Sequence, residues 1–176
     1  MAIISRPLET EYLPYFNNYI RYVPEQVDVL KWMEENTLRT VEFLSELSDE
    51  QLAFRYAPGK WTIKDILQHM IDTERIFSYR ALCIARGETA SLPGYEEDEY
   101  AQAANASSRF IDDMLNEFQT LRYSIIGMFT SMSEDALHRT GIVNEHPLSA
   151  RACIFILAGH EVHHMQVIKE KYIQSA

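Results

Sequence analysis

The chain has 176 residues, 47% of them hydrophobic and 24% charged, with 26 acidic side chains against 16 basic ones and a formal charge of −10. That length makes one domain, spanning 1–176, with room for a core of its own. The acidic balance without a clustered basic face argues against nucleic acid as a partner, and no apolar run approaches the ~20 residues that cross a bilayer.

The N-terminus lacks the charged-then-apolar plan of a signal peptide. Cys83 and Cys153 stand alone with no Cys-x-x-Cys pair. A cytoplasmic location with two reduced core cysteines is therefore expected. The first 23 or so residues carry Tyr12, Tyr15, Phe16, Tyr19 and Tyr22, and read as an aromatic-rich arm packing across the rest. Apolar spacing over Val27, Leu30, Met33, Leu38, Val41 and Leu44 predicts a first long helix, from after Pro24 to about Ser45. A short helical turn begins at Ser48, and Ala57-Pro58-Gly59-Lys60 breaks it. A second long helix is predicted from about Thr62 to Ala85, stopped by Gly87. A polar loop follows, with Leu92-Pro93-Gly94-Tyr95 and the acids from Glu96 to Glu99. A third helix is predicted over about Ser107–Met132. A connection with Gly141, His146 and Pro147 follows, then a fourth helix over about Ser149–Ile173. Four helices of that length predict an all-α fold, a four-helix bundle with negligible strand.

Near the C-terminus three histidines fall in five residues, His160-Glu161-Val162-His163-His164. His160 and His164 are four apart, one above the other on a helix face, within reach of a single metal ion. On a wheel of about 100° per residue they fall in the middle of the apolar stripe formed by Cys153, Ile156, Leu157, Val167 and Ile168, whereas His163 lies roughly 100° from its centre. His69 likewise lies on the apolar face of the second helix, with Ile66, Thr73, Ile76, Phe77 and Ile84. Three buried imidazoles need three hydrogen-bond solutions, an unpaired buried polar group costing ~1–3 kcal/mol. One shared metal ion solves all three and leaves coordination positions open for water and substrate, as in catalytic sites.

Rival patterns fit less well. His160-Glu161-x-x-His164 matches the zinc-peptidase motif with Glu161 as base, but such enzymes take their third ligand downstream, and twelve residues remain. Glu161-x-x-His164 fits half of a di-iron carboxylate bundle. The other half fails, because the residue three before His69 is Ile66. Glu161 is left as an acid supporting the ligands or a surface charge. Asp72, near His69, is a candidate to accept that ring's free N–H, or to lie in solvent. Arg80, close to the same stripe, is a candidate to hold a substrate carboxylate, or a snorkelling structural residue. His138 and His146 are expected in solvent, and Trp61 and Tyr95 in packing.

Gly59-Lys60-Trp61-Thr62-Ile63, His69, Asp72-Thr73-Glu74-Arg75-Ile76, Leu92-Pro93-Gly94-Tyr95 and Ala158-Gly159-His160-Glu161-Val162-His163-His164 carry a resemblance that reaches from about 25 to 172. In these segments the chain resembles the DinB-like superfamily, in its branch around bacillithiol-transferase-like proteins. The resemblance implies an antiparallel four-helix bundle, often a homodimer, with a divalent metal held by one histidine of helix two and two of helix four. Carried onto this chain, those are His69, His160 and His164. One transition ion per chain is implied, and zinc and nickel both suit imidazole ligands. Relatives include transferases using low-molecular-weight thiols, a mycothiol-dependent isomerase and many metal-dependent hydrolases without a known substrate. The expectation is transfer of a small thiol onto a small electrophile. The alternatives are a hydrolase using metal-bound water and a bundle that binds metal without catalysis.

Overall fold

In a computed structural model, residues 3–173 are described. Three of the four long helices begin where the sequence supplies a side-chain cap. Helices α1 (Asn17–Ile20) and α2 (Val29–Ser45) come first, and Asp28 caps the latter by accepting from the backbone N–H groups of Leu30 and Lys31. Helix α3 (Asp49–Ala53) is a single short piece. Helix α4 (Ile63–Ala85) opens on a reciprocal capping box: Thr62 accepts from the Asp65 N–H while the Asp65 carboxylate accepts from the Thr62 N–H. It ends at Gly87, whose φ of 87° an L side chain resists. Helix α5 (Glu97–Ala104) lies in the stretch expected to be loop, followed by α6 (Ile111–Thr130) and α7 (Glu134–His138). Ser149 caps α8 (Ala150–Ile168), whose last residues, Lys169–Ile173, widen into a π-helical turn.

The expected bundle is α2, α4, α6 and α8. Helix α2 packs on α6 and α8, and α4 packs on the same two, so α2 and α4 are diagonal partners. Side-chain pairs give the directions. Glu117 of α6 pairs with Arg75 of α4 and Arg109 bonds Gln68, so α4 and α6 run the same way. Thr40 bonds Glu161 and Phe43 lies under Lys169, so α2 and α8 also run together. The packed pairs α4/α8 and α2/α6 are antiparallel.

One element differs from the expected connection. Residues 140–149 form a hairpin, β1 (Thr140–Val143) against β2 (His146–Ser149), antiparallel with Val143 opposite His146. Its two-residue turn puts both Asn144 and Glu145 at positive φ (48° and 67°), the geometry of the tight turns that suit strand twist. Leu92 joins it through bonds from its N–H to the Ile142 carbonyl and from the Asn144 N–H to its own carbonyl.

The buried apolar residues form two clusters at opposite ends of the bundle. One holds Met33, Phe77, Phe129 and Phe155; the other holds Leu44, Leu67, Phe118 and Ile168. Between them each long helix contributes a buried polar residue: Thr40, Glu74, Arg122 and Glu161. The arm lies on α8 as expected. A Cβ on Gly159 would sit 2.0 Å from the Tyr19 carbonyl oxygen, so only glycine lets α1 approach this closely. Glu11 anchors the arm's start, accepting from Ser149 Oγ (2.7 Å) and Arg151 Nε (2.8 Å).

Candidate functional site

His69 projects from the second turn of α4, and His160 and His164 from successive turns of α8, which faces it. All three rings reach one point. Their nearest nitrogens lie within 4.8 Å of one another, and His160 Nε2 is 3.0 Å from Nε2 of both His69 and His164. Burial drives the basicity of all three down, His69 to about 4 and the other two well below the ordinary imidazole range. At neutral pH each is therefore an uncharged ring.

That geometry is hard to satisfy with hydrogen bonds alone. A neutral ring nitrogen carries one hydrogen or one lone pair, so His160 Nε2 can close one good bond, not two. A shared cation satisfies all three lone pairs. Nitrogens 2.0–2.1 Å from one ion would be separated by about 2.9–3.3 Å, depending on whether the angles are octahedral or tetrahedral. The two spacings from His160, 3.0 Å each, fall inside that range, and the third pair, His69 and His164, lies within 4.8 Å. The three residues thus fit a divalent transition metal.

His163 is turned away, as its place on the helix predicts: its ring lies against Tyr19 and Tyr22. Glu161 is not a surface charge. It is 2% exposed, accepts from Thr40 Oγ1 (2.7 Å) and pairs with Arg122 Nη1 (2.7 Å). Arg122, itself fully buried, also grips Glu74 through Nε (3.0 Å) and Nη2. This network binds the four helices at the level of the histidines and leaves Glu161 no oxygen without a protein partner. Sequence reasoning missed Arg122 and Glu74. The available signal was their position on apolar stripes, Arg122 standing between Phe118 and Ile125 at helical spacing.

Asp72 does not serve His69. It is half-buried, accepts from Gln68 Nε2 (2.9 Å), and borders a separate groove with Arg75 and Arg109. Of its two expected roles the structure supports neither the ligand-supporting one nor a fully solvated charge. His138 and His146 are exposed, as expected; His138 Nε2 meets Arg151 at the base of the arm, and His146 reaches the mouth of the cavity described next.

The cluster opens into a half-enclosed cavity of about 380 Å3, lined mainly by apolar and aromatic groups from the arm, the bundle and the loops. The arm supplies Phe16 and Tyr19, α4 supplies Thr73, Phe77 and Arg80, the Leu92–Tyr95 segment supplies Gly94 and Tyr95, and the hairpin supplies Val143, Pro147 and Leu148. Trp61 and Tyr95, expected only to pack, both form its wall. The Trp61 ring lies 4.8 Å from His69, and the Tyr95 hydroxyl bonds Thr73 Oγ1 (2.9 Å). Tyr19 stands edge-on to His160, and burial pushes its phenol up, so it is neutral.

Arg80 is 5% exposed and faces the cavity. Its Nη2 donates to the Pro93 carbonyl (2.7 Å), and its guanidinium lies over the rings of Phe77 (4.9 Å) and Tyr95 (5.7 Å). No carboxylate pairs with it among the described residues. The carboxylate among the described residues lining the cavity is Glu97, which is exposed. No helix among the described residues is long and apolar enough to cross a membrane.

Comparison with known proteins agrees with this architecture. The chain is 24% identical over 155 residues to a protein of Oceanobacillus iheyensis named as a putative metal-dependent hydrolase, covering 84% of this chain and 88% of that one. It is 29% identical over 131 residues to a protein of the same name from Geobacillus kaustophilus, with 72% and 71% covered. Among solved structures it is similar in fold to Bacillus subtilis YfiT, described as a probable metal-dependent hydrolase with an unusual four-helix bundle topology (TM-score 0.77, 16% identity, 90% of this chain and 98% of that chain). A mycothiol-dependent maleylpyruvate isomerase shares the fold more loosely (TM-score 0.65, 15% identity, 83% of this chain and 61% of that chain). Residues 33–168, which hold all three histidines, Arg122 and both walls of the cavity contributed by the bundle, match the family model of the DinB superfamily; the chain belongs to that superfamily.

Proposed function

We propose that the chain is a metal-dependent enzyme in which His69, His160 and His164 hold one divalent ion, and that it transfers a small thiol onto a small electrophile. Bound there, a divalent ion supplies one kind of chemistry, lowering the pKa of the protic group it coordinates, thiol or water. The carrying observation is that, among the described residues, no carboxylate beside the histidines is both buried and free. Glu161, the acid nearest them in sequence, has both oxygens engaged by Thr40 and Arg122. Glu97 is exposed. Hydrolysis by an activated water benefits from a positioned carboxylate that takes the second proton. A thiolate carries no further proton and needs no such residue.

The protein's own groups do the rest. Three neutral imidazoles on two packed helices would hold the ion from one side, with the cavity on the other. Phe16, Phe77 and Trp61 exclude water from that side, which protects a nucleophilic sulfur and favours an apolar electrophile. Tyr19 and Tyr95 offer neutral hydroxyl groups to charge that develops on the electrophile. The names of the curated relatives favour hydrolysis, which is the second reading.

One experiment separates the two. With cobalt in the site, a small thiol should give a sulfur-to-metal charge-transfer band. An activated haloarene should be consumed only when thiol and metal are both present, and both effects should vanish in His160→Ala. Turnover of nitrophenyl esters without thiol, at a rate rising with pH through ionisation of a water, would establish the hydrolase instead.

A further inference from the structure

Among the described residues, Arg80 is a buried cation without a buried counter-charge. Its one protein acceptor is a neutral carbonyl, that of Pro93. The rings of Phe77 and Tyr95 lie beside its guanidinium, at 4.9 and 5.7 Å, and hold it at the cavity wall. A cation taken out of water is costly unless something negative joins it. No other Lys or Arg is found among the described residues lining the cavity, so the site offers one positive charge, which suits a monoanionic carboxylate better than a phosphate dianion.

The helices set the distance from this charge to the histidines. Arg80 follows His69 on the same face of α4 by three turns, about 16 Å of rise. Its side chain reaches back over Phe77, one turn towards the N-terminus, as helical side chains do. The charge and the imidazole cluster are thus separated by roughly 10 Å, with apolar wall between them.

We propose that Arg80 anchors the carboxylate of an elongated, metabolite-sized acid whose reacting end lies at the three histidines. This rests on the metal reading for the reacting end and not for the anchor. A cavity of about 380 Å3 is near the small end for ligand pockets, so the ligand is one small molecule with an apolar middle, not a polymer segment. Short acids cannot span both ends, and long ones exceed the space.

The test uses cobalt-loaded protein and thiols of graded length, 3-mercaptopropanoate, 6-mercaptohexanoate and 11-mercaptoundecanoate, each against the corresponding mercaptoalcohol. Dissociation constants are read from the charge-transfer band. The six-carbon acid should bind on the order of ten- to a hundred-fold tighter than its alcohol, the worth of a charge-assisted bond pair. The shortest and longest acids should show little advantage. Arg80→Met should bring the six-carbon ratio close to one, and Arg80→Lys, which keeps the charge without the planar edge, should leave an intermediate ratio and decides the matter if the Met variant does not fold. A ratio near one in the unmodified protein, or one unchanged in either variant, overturns the proposal; the latter would place the carboxylate on the metal. If no thiol produces a band, the metal–thiol reading fails. Calorimetry of heptanoate against heptanol then decides the anchor alone: an Arg80-dependent preference for the acid sustains it, and equal binding overturns it.

Discussion

Arg122→Met removes the one cation lying between Glu74 and Glu161 in the middle of the bundle. Three charge-assisted bonds are lost, and two carboxylates, each 2% exposed, stay behind with Thr40 as their one remaining hydroxyl partner. Deleting one member of a buried ion pair costs about 3–5 kcal/mol, because the charges left behind are uncompensated. That is a large share of the ~5–15 kcal/mol that holds a domain together. The loss should depend on pH in a definite direction. Burial already pushes the Glu74 carboxyl up from its ordinary value of 4.5, and the Arg122 charge opposes it. Without Arg122 the Glu74 carboxyl rises further, so the folded variant holds a proton that the unfolded chain releases. The variant should be most stable in acid, near or below pH 4.5, and lose stability as pH rises towards neutrality. Urea unfolding of both proteins between pH 5 and 8 measures this as a widening gap in midpoint with little change in slope. Converting all three residues together (Glu74→Leu, Arg122→Met, Glu161→Leu) should recover most of the stability, since an apolar replacement leaves no charge behind. A single-variant loss under about 1 kcal/mol at pH 8, or a gap independent of pH, would refute the account of a closed charge network.

Other consequences are as direct. Gly159→Ala should push α1 off α8, because the new Cβ meets the Tyr19 carbonyl at 2.0 Å. The expected cost is about 1–3 kcal/mol of overpacking strain, seen with faster proteolysis within residues 9–23; an unchanged melting temperature and cleavage rate would contradict the close approach. Burial alone would raise Glu11, but the bonds from Arg151 and Ser149 outweigh it and hold its carboxyl at about 2. Its stabilising effect is therefore present above the unfolded value of 4.5 and lost as pH falls towards 2. Glu11→Gln should lower stability at pH 7 and narrow its difference from the parent at pH 3, by urea titration. Chelation of a loaded protein should lower its melting temperature by mass action, and should leave that of His160→Ala unmoved.

The long helices were legible because each has an apolar stripe with the right period, and in two of them the ends are marked as well: Thr62 and Gly87 bracket α4 as read, and Ser149 starts α8. The histidines were legible for the same reason, as polar groups on stripes that should be apolar. The hairpin was not. Its strands are four residues each and include Gly141 and Pro147, and its turn is Asn144-Glu145, without the glycine that marks such turns. Helix α5 is short, acidic and mostly exposed, so it has almost no apolar face to read. Glu161 misled for a different reason. Helix α8 is buried on nearly all sides from Ala150 to Glu161, since α1, α2 and α4 all cover it, and a wheel that assumes one wet face assigns its flank to solvent. The partner that makes that burial tolerable, Arg122, is 39 residues away in sequence, and no local pattern links the two.

X-ray absorption at the metal edge of protein loaded with one equivalent of zinc or cobalt tests the central claim most directly. Three imidazole nitrogens at about 2.0–2.1 Å are predicted. One of them should be lost in each of His69→Ala, His160→Ala and His164→Ala, and none in His163→Ala. A spectrum without imidazole scattering, or one that changes in His163→Ala and not in His164→Ala, would contradict it.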